Sequence, residues 1–587
     1  MIRLSVIVPT RNRRDVLMTR ALPAMFNQQM RADEFEIVVV VDGSTDGTAA
    51  ALRELHPTCS LIVIEQPGCG ASSARNAGIQ AARGDLLLFL DDDIVCEPDL
   101  FLRHVEAHQS AEPALVYGAI SIHPETPSSV MSFATQSWYR DYYSGLEARG
   151  GLRLPEDNFL ISNSSVPRAT VIECGLFDER MTAKEDYELG LRLWKKGVQF
   201  KFLPQAKAYE FFLKPLHYVV GNDGKAFGET EILLSRKHPE YRPYSRFAGI
   251  ARTTWGRRVL RYILVLAPVD PVGVLNLPLS ICDKLSRFSV ARRAGKSMME
   301  IGRGVAEIRS AVRQTGSWKA LQREFGQKLP VLLYHHVGPE HPEAVRGLTV
   351  SPQKFEQQIR WLAQRGFHGI CPSDWLQWLR TGNGLPAKPI LLTFDDAYAD
   401  LAEYALPILR KYGFSGAVFV VTERLGGTNS WDEARGSGSL NLMTAEQIRY
   451  WDGQGIEFGA HSRTHAYLSK LSAAELFAEV VGSKNDLSAL LGHPIVSFAY
   501  PYGDYNDAVH DLVREEFDLA FGVEEGLNYL SGDRHLLKRA YIGPTDLMID
   551  FAGSVRRGGI RRIRDWRMKL KLRTRLKRLL GINRAHA

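Results

Sequence analysis

Short apolar runs alternate with helical patterns over residues 1–120. "LSVIVPT", "FEIVVVVDGS", "LIVIEQ" and "DLLLFLDDD" read as buried strands, with "RDVLMTRALPAMFNQ" and "SSARNAGIQAARG" as helices between them. Strands that are apolar throughout are covered on both faces, which predicts a parallel sheet flanked by helices. Pro9, Asp42 and Asp91 to Asp93 stand at the carboxyl ends of these strands, where such sheets bind ligands. A second alternating region opens at "LPVLLYHHVG" and continues to residue 545, with strands "PILLTFDD", "SGAVFVVT", "IEFGAHS" and "IVSFAYPYG". Helical stretches such as "SPQKFEQQIRWLAQRG" separate them. Strand–helix repetition with polar strand tips predicts a distorted (β/α) barrel. Both regions end an apolar strand in adjacent carboxylates: Asp91 to Asp93 in one, Asp395 and Asp396 in the other.

Between these regions the character changes. Arg242, Arg246, Arg252, Arg287, Arg292 and Arg293 interleave with apolar residues, and 241–328 reads as a basic helical connector. Its longest apolar stretch, Val259–Cys282, contains Arg261, Asp270 and three prolines, which disfavours a clean spanning helix but leaves a shallow membrane contact open. After 545 comes a basic tail, 546–587, in which Ile560, Ile563, Trp566 and Leu570 recur at helical spacing. This basic amphipathic pattern suits an anionic membrane surface or docking on the protein itself. No nucleic-acid-binding motif accompanies it. The expected domains are therefore 1–240, the connector 241–328, 329–545 and the tail 546–587.

Composition narrows the class. A chain of 587 residues exceeds one core. With 45% hydrophobic and 24% charged residues, general disorder is excluded. The 6 cysteines form no CxxC pair, which argues against a zinc knuckle or a disulfide framework and fits a reducing compartment. The apolar run near Met1 is short for a signal peptide. The expected location is cytoplasmic, peripheral at the inner face of the cell membrane.

Four blocks occur in order: "SVIVPTRNR", "VVVVDGSTDGT", "GASSARNAGIQAARGDLLLFLDDD" and "AKEDYELGLRLWKKG". Over residues 1–235 they resemble the family 2 inverting glycosyltransferases. The resemblance implies a Rossmann-like GT-A fold and a nucleotide-diphosphate sugar donor, UDP-linked. Asp91 and Asp93 fit the DxD role, with Asp93 the direct ligand of Mg²⁺ or Mn²⁺, ions that prefer oxygen. Asp42 aligns with the aspartate that bonds the base, although a turn-forming role suits it too. Pro9 and Arg11 line the same pocket by resemblance. Arg75 either reaches the nucleotide or its diphosphate or makes a surface ion pair. Glu185-Asp186 resembles the family's acidic pair, which makes Asp186 the base for the acceptor hydroxyl. Two departures stand out. Val41 replaces the first of two aspartates before the glycine, and the QxxRW motif of processive synthases is absent. Transfer of one sugar or a few is expected.

"TFDDAYAD", "GAHSRTH" and "FAYPYGDYN" resemble the polysaccharide deacetylases (NodB homology, carbohydrate esterase family 4) over residues 329–545. His461 and His465 are four apart, so a helical turn would place both on one face, and Asp396 would complete an Asp-His-His set for Zn²⁺ or a similar ion. Asp395 then fits the base, and the Tyr502 backbone N–H matches the family's oxyanion donor. Ala499 stands where the family has an arginine, and the late Leu-x-x-His motif is missing. Arg539 is a candidate for the missing cation. His335 or His336 is a candidate for the missing acid; either equally suits a structural role.

Together these imply a bifunctional enzyme of glycan assembly, acting on a glycan or lipid-linked acceptor at an anionic membrane, with no nucleic-acid partner. Transfer of N-acetylhexosamine and N-deacetylation is the expected pair of reactions. The competing expectation is a transferase whose second domain binds glycan but deacetylates weakly.

Overall fold

The computed structural model describes residues 2–109, 112–211, 214–250, 271–339, 347–431 and 439–559. These fall into two compact units. One holds the described residues of Met1–Tyr244 and Thr253–Leu321, the other those of Ser245–Arg252 and Gln322–Ala587.

The first unit is built on eight strands: β1 (Leu4–Thr10), β2 (Phe35–Asp42), β3 (Ser60–Gln66), β4 (Leu86–Phe89), β5 (Ile94–Cys96), β6 (Ala114–Ile122), β7 (Ser164–Pro167) and β8 (Gln199–Glu210). They lie in the order β3-β2-β1-β4-β7-β6-β8-β5. β3, β2, β1 and β4 pair in parallel. β7 is antiparallel to both β4 and β6. The apolar runs work as expected for a sheet covered on both sides. In β2, Val38 and Val40 enter one core with Ile7 and Phe89, while Ile37, Val39 and Val41 enter the other with Val6 and Val8. Position 41 therefore faces packing, which accounts for a valine there. Gly43 turns the chain with φ +68°, and a Cβ there would stand 2.6 Å from Gly68 N. Only glycine permits that approach of the two loops at the strand tips.

The segment read as a basic helical connector is mostly helical where it is described, and most of it belongs to the first unit. Helices Pro271–Lys284 and Ser289–Thr315 pack into the first unit. Leu279 and Met299 share a small core with Met131, Ala134, Val219 and Val220. Along the second helix, glycines at close approach share the buried face with Met299, Val305 and Ala311. A Cβ at Gly295 would lie 2.5 Å from Val130 Cγ2, and one at Gly302 2.8 Å from Val220 Cγ1. Residues 251–270, including most of the apolar stretch from Val259, lie outside the described residues.

The second unit is a curled parallel sheet, the distorted barrel expected from sequence. Its order is Leu519–Phe521, Ser497–Ala499, Ile456–Ala460, Gly416–Val420, Pro389–Phe394, Val331–Tyr334 and Ala540–Tyr541. His368–Ile370 also pairs with Pro389–Phe394. At the seam Leu537 bridges to Phe521, while Ala540 pairs with Leu332. Arg539 sits between these two attachments. The expected end at 545 moves outward, because helix Met548–Arg557 buries Phe551 and Val555 in the same core. The tail from Ile560 lies outside the described residues. Among the described residues no helix is long and apolar enough to cross a membrane.

Candidate active sites

In the first unit the strand tips converge on the acidic run after β4. Thr10 Oγ1 donates to Asp92 Oδ2 at 2.7 Å, and Arg13 Nη1 donates to Asp93 Oδ2 at 2.9 Å. Buried Arg75 joins two elements: Nη2 reaches Asp91 Oδ1 at 2.9 Å and Nη1 reaches Glu185 Oε1 at 2.7 Å. Glu210, at the end of β8, accepts from Tyr139 Oη at 2.9 Å. Burial and the Asp93 charge raise Asp92 to about 7 and Glu210 to about 8. This surplus of buried carboxylate fits an oxygen-preferring divalent cation. A preformed three-ligand set is not present at this tip among the described residues, and Asp93 pairs with Arg13.

Asp42 is buried beneath the tips. Its Oδ1 accepts from Gln66 Nε2 and Cys69 N, both at 2.7 Å, and its Oδ2 accepts from Gly70 N at 2.9 Å. It thereby fixes the loop after β3. Arg11 stands over that loop, its guanidinium 3.2 Å from where a Gly68 Cβ would be. Pro9 pairs with Val40 near the end of β1.

Helix Glu185–Lys195 starts from Lys184 in the left-handed region. Lys184 Nζ is anchored by Glu231 at 2.6 Å and Tyr241 at 2.8 Å. This start places Asp186 beside Glu185 and near Arg75. Burial, then the Glu185 charge, raises the Asp186 carboxyl to about 7, a value suited to a general base.

In the second unit the strand Pro389–Phe394 ends in Asp395, and Asp396 and Ala397 follow at φ 72° and 54°. Asp396 Oδ1 lies 3.4 Å from His461 Nε2 and 3.2 Å from His465 Nε2. All three residues are buried. Tetrahedral ligation with bonds of about 2.0 Å separates ligand atoms by about 3.3 Å, so these spacings fit a zinc-like ion. Asp396 Oδ1 has no hydrogen-bond partner, an orphan that a cation would satisfy. His461 Nδ1 is oriented by the Ala499 carbonyl oxygen at 2.7 Å, the outer contact typical of a metal-binding imidazole.

The helical turn expected across His461 and His465 is corrected. The two follow the strand Ile456–Ala460 in a loop. Ser462 and His465 take φ 60° and 67°, and Ser462 Oγ accepts from His465 N at 3.0 Å. Local left-handed turns bring the rings together where a helix was expected. Glu479 braces this loop, accepting from Arg463 N, Thr464 N and Thr464 Oγ1 at 2.9, 3.0 and 2.7 Å.

Arg539 forms a fork on Asp395, with Nη1 to Oδ1 at 2.6 Å and Nη2 to Oδ2 at 2.8 Å. Its Nε donates to the Gly522 carbonyl oxygen at 2.8 Å, and the rings of Phe419 and Phe521 lie beside it. Arg539 and then His461 hold the Asp395 carboxyl below its usual range against the opposing effect of burial. His335 faces these groups: burial lowers its pKa, Asp396 and Asp395 oppose that, and its Nδ1 is without a partner. His336 instead contacts Asp400 Oδ2 at 3.0 Å and lies on the Tyr398 ring at 3.6 Å. Tyr502, at φ 58°, sets its ring edge-on to His465 at 4.4 Å and stacked on Tyr467 at 4.2 Å. Trp431 stacks on His465 at 4.7 Å.

Sequence reasoning missed Thr10, Arg13, Glu210, Glu479, Trp431 and Tyr467. Thr10 and Arg13 lie in the same block as Pro9 and Arg11, and Tyr467 follows His465 by two residues, so these three carried a positional signal. Glu210, Glu479 and Trp431 reach the sites from other segments without a motif.

Comparison with known proteins agrees with this geometry. The model for "Glycosyl transferase family 2" matches residues 5–153, and that for "Polysaccharide deacetylase" matches 382–516. YxkH of Bacillus subtilis (strain 168), whose name assigns it to the polysaccharide deacetylases, is 25% identical over 39% of this chain and 76% of its own. The validoxylamine A glucosyltransferase of Streptomyces hygroscopicus subsp. limoneus is 32% identical over 33% of this chain and 48% of its own. The poly-beta-1,6-N-acetyl-D-glucosamine N-deacetylase of Staphylococcus aureus (strain MSSA476) is 24% identical over 31% of this chain and 63% of its own. The chain thus spans about half of that glucosyltransferase and under two thirds of that deacetylase. It joins a family 2 glycosyl transferase domain to a polysaccharide deacetylase domain.

Proposed function

We propose that the chain is a bifunctional enzyme of glycan assembly. The first unit transfers an N-acetylhexosamine from a UDP-linked donor with inversion, and the second removes an N-acetyl group from a glycan. The observation that carries this reading is the Arg539 fork on Asp395, beside Asp396, His461 and His465. A domain that merely held glycan would have no use for an ionised carboxylate fixed next to a metal set.

For transfer, Asp186 takes the proton of the acceptor hydroxyl, whose oxygen attacks the anomeric carbon as the diphosphate leaves from the opposite face. Mg²⁺ or Mn²⁺ held by Asp93 and Asp91 with the diphosphate oxygens would neutralise the leaving group. Arg75 keeps base and donor sides in register by tying Asp91 to Glu185. Pro9, Arg11 and Asp42 shape the nucleotide pocket.

For deacetylation, Zn²⁺ or a similar ion held by Asp396, His461 and His465 would polarise the amide carbonyl and acidify a water. Asp395 takes that water's proton, kept ionised and in plane by Arg539. The Tyr502 N–H supports the developing oxyanion. His335 passes to the nitrogen, as the C–N bond breaks, the proton that Asp395 took from the water, leaving acetate and a free amine. We further propose that the work is done at an anionic membrane face on a lipid-linked acceptor.

The test is mass analysis of products from UDP-N-acetylhexosamine and candidate acceptors, with a gain of one hexosamine lacking acetyl expected. Asp186→Asn should stop transfer and spare deacetylation of a supplied oligosaccharide; Asp395→Asn should do the reverse. Loss of both activities in one folded variant would sink the two-site reading. The missing late histidine favours a second reading in which the second unit only binds glycan. Failure of the metal-loaded chain to release acetate from any N-acetylated oligomer would select it.

A further inference from the structure

Helix Pro271–Lys284 is apolar on two sides. Leu279 faces the small core of the first unit, with Leu275 packed against it. On the opposite side Val274, Leu277 and Ile281 are 61, 72 and 50% exposed, spaced three and four apart so that they form one stripe. Leu285, Phe288 and Val290 continue the exposed apolar run. Six exposed large apolar side chains within one short stretch are a patch, not the usual scatter.

The charge around the patch is mostly positive. Between 271 and 299 the cations are Lys284, Arg287, Arg292, Arg293 and Lys296, against Asp283 as the sole acid. Asp283 accepts from Val130 N at 2.8 Å. Lys284, Arg287 and Arg293 are exposed, and the Arg287 guanidinium lies over the Phe288 ring at 4.8 Å.

We propose that this face docks on an anionic lipid bilayer. The apolar stripe enters the headgroup boundary, and the flanking cations meet lipid phosphates. A second copy of the chain is a poorer occupant, because a two-fold contact would set the same cations against each other. The face is rigidly part of the transferase unit. Met131 and Ala134, on helix Val130–Arg149, help fix it, and Tyr139 of that helix bonds Glu210 beside Asp93. Docking here therefore carries the donor site to the membrane. This inference rests on the membrane reading above and specifies the surface responsible.

The experiment is flotation of the full chain with vesicles of phosphatidylglycerol and phosphatidylcholine. The unaltered chain should float. Leu277→Glu with Ile281→Glu should lower partitioning about tenfold or more, with the thermal midpoint and transfer to a soluble acceptor unchanged. If that double variant floats normally while truncation after Gly559 abolishes binding, this face is refuted and membrane association survives through the tail. If the unaltered chain binds no anionic vesicle, both ideas fail. Equal binding to pure phosphatidylcholine would refute the role of the cations. A dimer that the double variant dissociates would replace the bilayer by a second copy.

Discussion

Arg539 determines what Asp395 can do. A lone buried carboxylate would protonate or swing away, and the guanidinium fork prevents both. Lysine at this position keeps a charge but loses the planar fork. Arg539→Lys is expected to lower kcat for acetate release about 100-fold, with KM and metal content little changed, since Asp396, His461 and His465 are untouched. Steady-state kinetics with metal analysis would check this; a parallel loss of bound metal would contradict it. The tandem aspartates were legible in the sequence because they terminate an apolar run. Their partner was only a candidate, because 144 residues separate Arg539 from Asp395. The histidine pair was legible as a pair but not in its conformation. A spacing of four is common to a helix turn and to a loop with two left-handed residues, and only the fold decides between them.

At the scale of elements, helix Glu185–Lys195, which carries the proposed base Asp186, is held by a charge cluster behind it. Glu188 is fully buried and accepts from Arg192, His238 and Lys237. Hydrogen bonds from His238, Arg192 and Lys237 overcome burial and lower its carboxyl to about 2. Glu188→Gln removes the buried charge that Arg192, Lys237 and His238 share; Lys237 keeps Asp178 and His238 keeps Glu240, so the loss is expected at the lower end of the buried-pair range, about 3 kcal/mol. The sign follows from the depressed pKa. The stabilisation is full above the ordinary carboxylate value of about 4.3 and fades as pH falls toward 2. Thermal melts should show a constant deficit for the variant near neutral pH that shrinks below pH ~4. Strands in both units were legible because burial on two faces leaves continuous apolar runs. Helix Ser289–Thr315 was legible only as part of a basic helical connector; its packing into the first unit was not, since close approach at Gly295 and Gly302 leaves its basic residues to dominate the pattern.

For the whole molecule, the two sites differ in donor chemistry and so in metal demand. The first offers oxygen alone, the second two imidazoles and a carboxylate. Chelation should silence both activities. Zn²⁺ or Co²⁺ should restore acetate release, and Mg²⁺ or Mn²⁺ should restore sugar transfer. Assaying both reactions in each reconstituted sample checks this; one ion restoring both equally would contradict the separation.

The barrel seam has a temporal consequence. Asp396, His461 and His465 leave the ribosome well before Arg539, which rides on the segment that bridges Leu537 to Phe521 and Ala540 to Leu332. A chain that ends before Arg539 carries Asp396, His461 and His465 but not the guanidinium that pairs with Asp395. On the proposed roles, such a product of translation is expected to release little acetate.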